Sequence, residues 1–256
     1  MRNRPSFFDR VICGNCCDVL PSLPEGCARL IITSPPYCAG KEFDDEGVTN
    51  DYKQFAFDWT SFIQRLLTPD GSFWLNVGYT VIGPNETLPL SYLYYQIVRQ
   101  CHGLRLVQEL VWHYEGGMSY KRRFTHRTER WLWFAANPDK VVFNLDAVRD
   151  PTANRTKDRR NNPLGKNPTD YWYFNRVVSG TGRVAEKTAH PTQFPERMIE
   201  RIVLACSNAG DLVVDPMMGS GTVCAVAKRL GRRYLGIDRH APYCAIARQR
   251  IKGSRP

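Results

Sequence analysis

Two short stretches carry side chains whose types and spacing suit chemistry on a planar, nitrogen-bearing ligand. The first is Ser34-Pro35-Pro36-Tyr37, at the end of the apolar run Leu30-Ile31-Ile32. Proline has no N–H and cannot continue a hydrogen-bonded ladder, and Ser34 and Pro35, each preceding a proline, are pushed toward extended backbone. The product is a stiff turn at the carboxyl end of a buried strand, the place where open α/β sheets bind ligands. It offers the Ser34 hydroxyl, the Pro35 carbonyl and the ring of Tyr37. An exocyclic amino group can donate to the first two while the base that carries it stacks on the third. A proline-stopped strand with no chemical role has the same sequence, so the turn alone leaves both readings open.

The second stretch is Asp215-Pro216-Met217-Met218-Gly219-Ser220-Gly221-Thr222, behind Leu212-Val213-Val214 and ahead of a helical pattern. A strand, a glycine turn and a helix start let backbone approach a ligand and present free N–H groups. One strand later, Tyr234-Leu235-Gly236-Ile237 ends on Asp238, an acid placed to accept hydrogen bonds from both hydroxyls of a ribose. No Gly-x-x-x-x-Gly-Lys-Ser/Thr sequence is present, and Asp215 at the head of the turn repels phosphate and attracts an amine. A ligand with an amino-acid end and a nucleoside end fits these features. S-adenosylmethionine has both, and its sulfonium cation suits an acid-lined pocket.

The elements that must position these turns alternate between strand and helix patterns. Arg10-Val11-Ile12, Leu30–Thr33, Ser72–Val77, Leu106–His113, Trp131–Ala136, Leu212–Asp215 and Tyr234–Asp238 read as strands, with Val141–Phe143 extending a hairpin. Helical spacing marks Asp18–Leu23, Trp59–Leu67, Leu88–Cys101, Pro195–Ser207, the residues after Gly221, and Ala241–Ile251. Cys38–Phe57 is polar and glycine-punctuated and reads as a long loop beside the proline turn, with Asp44, Asp45 and Glu46 on a solvated face. The alternation predicts an α/β fold with a mostly parallel sheet and helices on both faces. Periodicity fails over residues 144–187, which reads as an inserted segment between residues 1–143 and 188–256 of one domain.

The chain has 256 residues, a formal net charge of +10 and a pI near 9.3, a surplus that favours a polyanionic partner. The cations concentrate in two places. Lys121, Arg122, Arg123, Arg127 and Arg130 lie among Tyr120, Phe124 and His126. Arg149, Arg155, Lys157, Arg159, Arg160, Lys166, Arg176 and Arg183 lie in the inserted segment with the aromatic cluster Tyr171-Trp172-Tyr173-Phe174. That cluster either stacks on a base or forms a small core of its own. No apolar run is long enough for a membrane span, and no apolar signal region follows the basic start Met1-Arg2-Asn3-Arg4-Pro5, which points to the cytoplasm. Cys13-x-x-Cys16 has half the spacing of a zinc site, but none of the other cysteines among the nine makes a second such pair. Reduced cysteines packed as small apolar residues, and no metal, are the expectation.

Ser34-Pro35-Pro36-Tyr37 resembles the catalytic motif of amino-group DNA methyltransferases, and Asp215–Thr222 resembles their cofactor motif, with Met217 in place of the usual phenylalanine. His190-Pro191-Thr192-Gln193, Tyr234–Asp238, Tyr243 and Arg250 also look like that family. The catalytic motif precedes the cofactor motif, which resembles the beta subclass, a circularly permuted arrangement of the Rossmann-like S-adenosylmethionine-dependent methyltransferase fold.

The resemblance implies roles residue by residue. The cofactor S-adenosyl-L-methionine is held by Asp215, Pro216, Met217, Gly219, Ser220, Gly221 and Thr222, with His190 and Thr192 beside them. Asp238 takes the ribose, and Asn15 with Cys16 stands where the family meets the adenine. Ser34, Pro35, Pro36 and Tyr37 are catalytic. Lys121, Arg122, Arg123, Arg155, Arg159 and Arg160 contact duplex DNA, and residues 144–187 recognise the target.

Serine at the first catalytic position resembles the subset that methylates the N4 amino group of cytosine, whereas Asp goes more often with the N6 amino group of adenine. Adenine, and less so a protein or RNA amino group, remain alternatives. A cognate restriction endonuclease is a candidate partner, and the chain is read as a monomer or homodimer. The whole reading requires that the proline turn and the glycine turn lie side by side at one sheet edge.

Overall fold

The computed structural model describes residues 7–37, 50–83, 86–116, 119, 121–151, 162–177 and 186–254. The chain runs β1 (Arg10–Cys13), α1 (Cys16–Val19), β2 (Ala28–Thr33), α2 (Asn50–Ser61), α3 (Ile63–Leu66), β3 (Leu67–Val77), β4 (Tyr79–Gly83), β5 (Glu86–Pro89) and α4 (Leu90–Tyr95), which continues as a wider π-helix over Gln96–Cys101. It goes on through β6 (Arg105–His113), β7 (Thr128–Ala135), β8 (Tyr171–Tyr173), α5 (Glu196–Cys206), β9 (Leu212–Asp215), α6 (Thr222–Arg229), β10 (Arg233–Asp238) and α7 (Ala241–Gly253).

Eight strands form one sheet in the order β1-β10-β9-β2-β3-β7-β6-β8, and β4 and β5 make a separate ribbon. Neighbours from β1 to β3 pair in parallel, β7 is antiparallel to both β3 and β6, and β8 is parallel to β6. The expected α/β architecture with a mostly parallel sheet is therefore present. The strands' period of two sorts their side chains onto two faces. Ile31, Phe73, Leu75 and Val214 pack on one face with Ala56, Trp59, Ile63 and Leu66 of α2 and α3. Leu30, Ile32, Trp74 and Val213 pack on the other with Met198, Ile199, Ile202 and Val203 of α5 and Val223 and Val226 of α6. Leu30, Ile31 and Ile32 are all fully buried, as a strand covered on both faces must be.

Several expectations change. Residues 50–57 are helical, not loop; Tyr52, Ala56, Trp59, Ile63 and Leu66 form a buried stripe at alternating spacings of four and three. Residues 38–49, including Asp44–Glu46, lie outside the described residues. β3 begins at Leu67, and its pairing with β2 shifts between Ala28 and Leu30, which absorbs Pro69-Asp70-Gly71 as an irregularity inside the strand. Val141–Phe143 is not a strand; the hairpin partner of β7 is β6.

The aromatic cluster does not form a core of its own. Trp172 lies on β8, 5% exposed, and stacks on Trp74 at 5.9 Å, and Trp74 in turn stacks on Trp133 at 5.1 Å. The segment 144–187 thus contributes a strand to the main sheet. Its neighbours Tyr171 and Tyr173 point outward beside His113. Replacing Trp172 with Ala is expected to lower unfolding free energy by about 3–5 kcal/mol, while Tyr171→Ala stays within about 0.5 kcal/mol. Chemical denaturation checks this; equal losses at the two positions would show that Trp172 is not keyed into the core.

Candidate active site

The proline and glycine turns meet. β2 and β9 are neighbours, with Leu30 opposite Val213 and Ile31 opposite Val214, so both strands deliver their carboxyl ends to one edge. There the Thr33 hydroxyl donates to Asp215 Oδ1 at 2.8 Å. The same oxygen accepts from the Met217 N–H at 3.2 Å. Asp215 is 3% exposed, and burial lifts its carboxyl to about 7, against the opposing hydrogen bonds from Thr33 and Met217. Its Oδ1 holds the two turns together, and Asp238, half-buried, is the acid of the pair nearer the surface.

On the side of the proline turn, the Tyr52 hydroxyl donates to the Pro36 carbonyl at 2.7 Å and straps that turn to α2. Ser34 donates to the Tyr37 hydroxyl at 3.0 Å. The Tyr37 hydroxyl lies 2.9 Å from Asn76 Oδ1 on β3 and 3.0 Å from Glu129 Oε2 at the start of β7. Burial first, and then the Glu129 carboxylate, push the Tyr37 phenol well above its ordinary value, so it stays protonated. Gly78 lets the chain pass this ring, since a Cβ there would sit 3.0 Å from Tyr37 Cε2.

On the other side, Gly219 (φ 48°) and Gly221 (φ 74°) adopt left-handed backbone. A Cβ at Gly219 would lie 2.7 Å from His190 Nε2, and one at Gly221 would lie 2.7 Å from Ala247 Cβ, so both positions require glycine for packing as well. His190 is buried over the turn, accepts from the Thr192 N–H at 3.2 Å and meets the Tyr243 ring at 4.3 Å. Arg250 on α7 donates to Thr222 Oγ1 at 2.7 Å, to Ser220 Oγ at 3.2 Å and to Glu196 Oε1 at 2.7 Å, pinning the turn to α5. Asp238 ends β10 and accepts from the Gly219 N–H at 2.9 Å and the His240 N–H at 2.8 Å. A carboxylate has about four acceptor positions, which leaves Asp238 free capacity for hydroxyl donors.

Asn15 stands beside Asp238, because Gly14 N–H donates to the Asp238 carbonyl at 2.9 Å. The Asn15 side-chain Oδ1 accepts from the Cys17 N–H at 3.0 Å and caps α1. Met217 is half-buried at the same edge. Pro216, Gly219, Ser220, Gly221 and Thr222 are buried within the turn, and Thr192 is exposed beside it.

The Cys16 side chain is buried in the core, its thiol pushed up to about 12 by burial, so only its backbone is available at this edge. Among the described residues no group of three or more His, Cys, Asp and Glu is placed to hold a metal, and no helix is long and apolar enough to cross a membrane. Lys121, Arg122 and Arg123 lie exposed in the connection from β6 to β7, which rises from the same edge. Arg155, Arg159 and Arg160 lie outside the described residues, as do Tyr120, Lys157 and Arg183.

Residues 28–249 match the family model described as DNA methylase, the N6/N4 amino-methylating type. The chain belongs to that family.

Its sequence relatives include Type II methyltransferases. The Streptomyces caespitosus methyltransferase M.ScaI is 38% identical over 93% of this chain and 80% of its own length. M.HpaI of Haemophilus parainfluenzae is 36% identical over 94% and 74%. The fold is shared with the PvuII DNA methyltransferase, described as cytosine-N4-specific, at a TM-score of 0.77, 21% identity, and coverage of 94% of this chain and 85% of that one. It is also shared with TTHA0409 of Thermus thermophilus, a protein described as a putative DNA modification methylase and solved with S-adenosyl-L-methionine, at a TM-score of 0.68, 23% identity, and coverage of 96% and 94%.

The methylase motifs are legible in sequence, whereas Asn76, Glu129, Tyr52 and Thr33 do not stand out there. Asn76 has a signal, a polar residue inside the apolar run Phe73–Val77, where it is 1% exposed. Glu129 has none, since it sits in a basic run.

The raised acid yields a test. Asp215 titrates near 4 when unfolded and about 7 when folded. Its contribution to stability is present at low pH and is lost as pH rises through the folded value. The Asp215→Asn variant removes that loss, so its stability relative to the parent should improve by about 2–4 kcal/mol between pH 4 and pH 8. Urea titrations at those two pH values check it; a pH-independent difference rules out the buried, proton-binding carboxyl.

Proposed function

We propose that this DNA methylase transfers a methyl group from S-adenosyl-L-methionine to the exocyclic N4 amino group of cytosine in duplex DNA, with the target base rotated out of the stack. The observation that carries this reading is the Thr33–Asp215 hydrogen bond, 2.8 Å long, which sets Ser34 and the glycine turn at one sheet edge. The left-handed glycine turn and the spare acceptor capacity of Asp238 fit an amino-acid and a nucleoside end. The residues that would hold the cofactor are those of the Asp215–Thr222 turn, Asp238, Asn15, and His190 with Thr192. When bound, S-adenosyl-L-methionine supplies a methyl group carried on a cationic sulfur.

An aromatic amine is a poor nucleophile because its lone pair is delocalised into the ring. Ser34 and the Pro35 carbonyl accept the two N–H hydrogens, which favours a pyramidal nitrogen and localises the pair. The Tyr37 ring fixes the plane of the base. Catalysis here is positioning and preorganised dipoles, without a covalent bond to the enzyme. A paired amine is out of reach inside a duplex, so base flipping is part of the proposal. Serine rather than an acid at position 34 favours cytosine, and the fold likeness to an enzyme described as cytosine-N4-specific is in keeping with it.

Duplex DNA meets the same edge through Lys121, Arg122 and Arg123, next to Phe124, which is 99% exposed. With Trp172 buried in the core, Phe124 is an exposed aromatic beside these cations that such a surface can offer to a base. Arg155, Arg159 and Arg160 are assigned to phosphate contact by charge, and residues 144–187 to target recognition. The Type II relatives support a cognate restriction endonuclease reading the same site. The assembly proposed is a monomer or homodimer in the cytoplasm.

Mass spectrometry of nucleosides from DNA incubated with enzyme and labelled cofactor should yield N4-methylcytosine; N6-methyladenine in its place would transfer the same mechanism to the alternative base. Ser34→Ala should lower turnover about a hundredfold or more with little change in cofactor affinity; undiminished turnover would remove Ser34 from the mechanism. Changing Lys121, Arg122 and Arg123 together to Ala should make the slope of log affinity against log salt shallower by about 2.7, the value for three phosphate contacts. An unchanged slope would take this connection off the DNA.

A further inference from the structure

A serine hydroxyl can donate or accept, and only one of those serves the proposed chemistry. An amino group approaching Ser34 brings hydrogens, so a hydroxyl hydrogen pointing at it is a clash of donors. Tyr37 settles the direction. Its hydroxyl faces the carboxylate of Glu129 at 3.0 Å and Asn76 Oδ1 at 2.9 Å. Both are acceptors. The carboxylate has no hydrogen, and the Asn76 amide is oriented by its own Nδ2, which donates to the Arg130 carbonyl at 3.3 Å. The single phenolic hydrogen is therefore committed toward Glu129 and Asn76. That leaves Tyr37 with lone pairs for Ser34, which donates to it at 3.0 Å. The Ser34 hydrogen is spent inward, and only lone pairs face the substrate side.

We propose that Glu129 and Asn76, acting through the Tyr37 hydroxyl, are positioning residues that turn Ser34 into an obligate hydrogen-bond acceptor. This rests on the methyl-transfer reading above but is indifferent to whether the amine belongs to cytosine or adenine. It gives a neutral serine the acceptor-only character that an aspartate has by itself. It also assigns Tyr37 a second task besides stacking. The charge on Glu129 matters because hydrogen bonds to ionised acceptors are the stronger kind. Glu129 also lies near Tyr114, whose phenol is raised first by burial and then by the Glu129 charge.

The test is single-turnover methyl transfer to duplex DNA, with cofactor and DNA affinities measured alongside. Tyr37→Phe keeps the stacking ring and deletes the oxygen. It should slow transfer about tenfold to a hundredfold with both affinities unchanged. Glu129→Gln should give a smaller loss, because Asn76 still accepts, and the double variant should be no slower than Tyr37→Phe alone. In a Ser34→Asp background, which has no hydroxyl hydrogen to direct, Tyr37→Phe should cost little. If that background is inactive, or Tyr37→Phe fails to melt cooperatively, Glu129→Gln in the parent decides, and full-rate transfer by it overturns the inference. Tyr37→Phe at the parental rate, or losses that multiply in the double variant, also overturn it. A parent enzyme that methylates no DNA amine, by contrast, sinks the functional reading itself.

Discussion

The Thr33–Asp215 hydrogen bond is the constraint on which the rest of the site depends. It joins residues 182 positions apart, at the last residues of two adjacent parallel strands. A parallel pair brings equivalent ends together, so once β2 and β9 are neighbours their carboxyl-end turns must share an edge. The hydrogen bond then sets how those turns sit relative to one another. One donor on Thr33 and one backbone N–H on Met217 converge on a single oxygen of Asp215, so moving either turn strands a buried polar group. Both turns are also fastened from behind, the proline turn by Tyr52 and the glycine turn by Arg250. A transfer between two bound groups needs this rigidity, because loss of alignment by an ångström is costly.

The parts of this arrangement that sequence reveals are those governed by local chemistry. Prolines that must stop a strand, glycines that must take positive φ, and apolar runs of four to six residues announce themselves. So does Asp238 at the end of Tyr234–Ile237. What stays hidden is what long-range packing decides. The helix at residues 50–57 is obscured because charged and polar residues interrupt its buried stripe of Tyr52, Ala56 and Trp59. Trp172 is visible as an aromatic but not as a core residue, since its partner Trp74 comes from β3 and the ring beyond it, Trp133, from β7. Glu129 is an acid within a basic run, and nothing near it in sequence indicates that an antiparallel strand carries it to Tyr37.

The glycine turn shows how a motif can be needed for two reasons at once. Positive φ at Gly219 and Gly221 is a backbone demand, but the space where their Cβ atoms would lie is already taken by His190 and Ala247. His190 belongs to the segment just before α5 and Ala247 to α7, so the turn is clamped by residues on either side of it in sequence. Arg250 completes the clamp by bridging the turn to Glu196. Burial alone would raise the Glu196 carboxyl, but the hydrogen bonds from Arg229 and Arg250 outweigh it and hold the group below its ordinary value. The carboxylate thus stays ionised as the anchor of both arginines. The His-Pro-Thr-Gln stretch, Tyr243 and Arg250 therefore belong to one mechanical unit whose output is the shape of the turn.

Charge is sorted by depth around this edge. The innermost group is an acid, Asp215, with Asp238 next outward, and the cations Lys121, Arg122 and Arg123 stand on the exposed connection between β6 and β7. A buried acid repels anions once ionised, and a cation beside it favours that ionised form. An exposed cluster of cations does the reverse at longer range, drawing a polyanion to the surface without admitting its phosphates to the interior. Acids and cations thereby stand at different depths of one sheet edge, the acids inward and the cations outward. The net surplus of positive charge on this chain does not describe its inner edge, where the titratable groups are the acids Asp215 and Asp238.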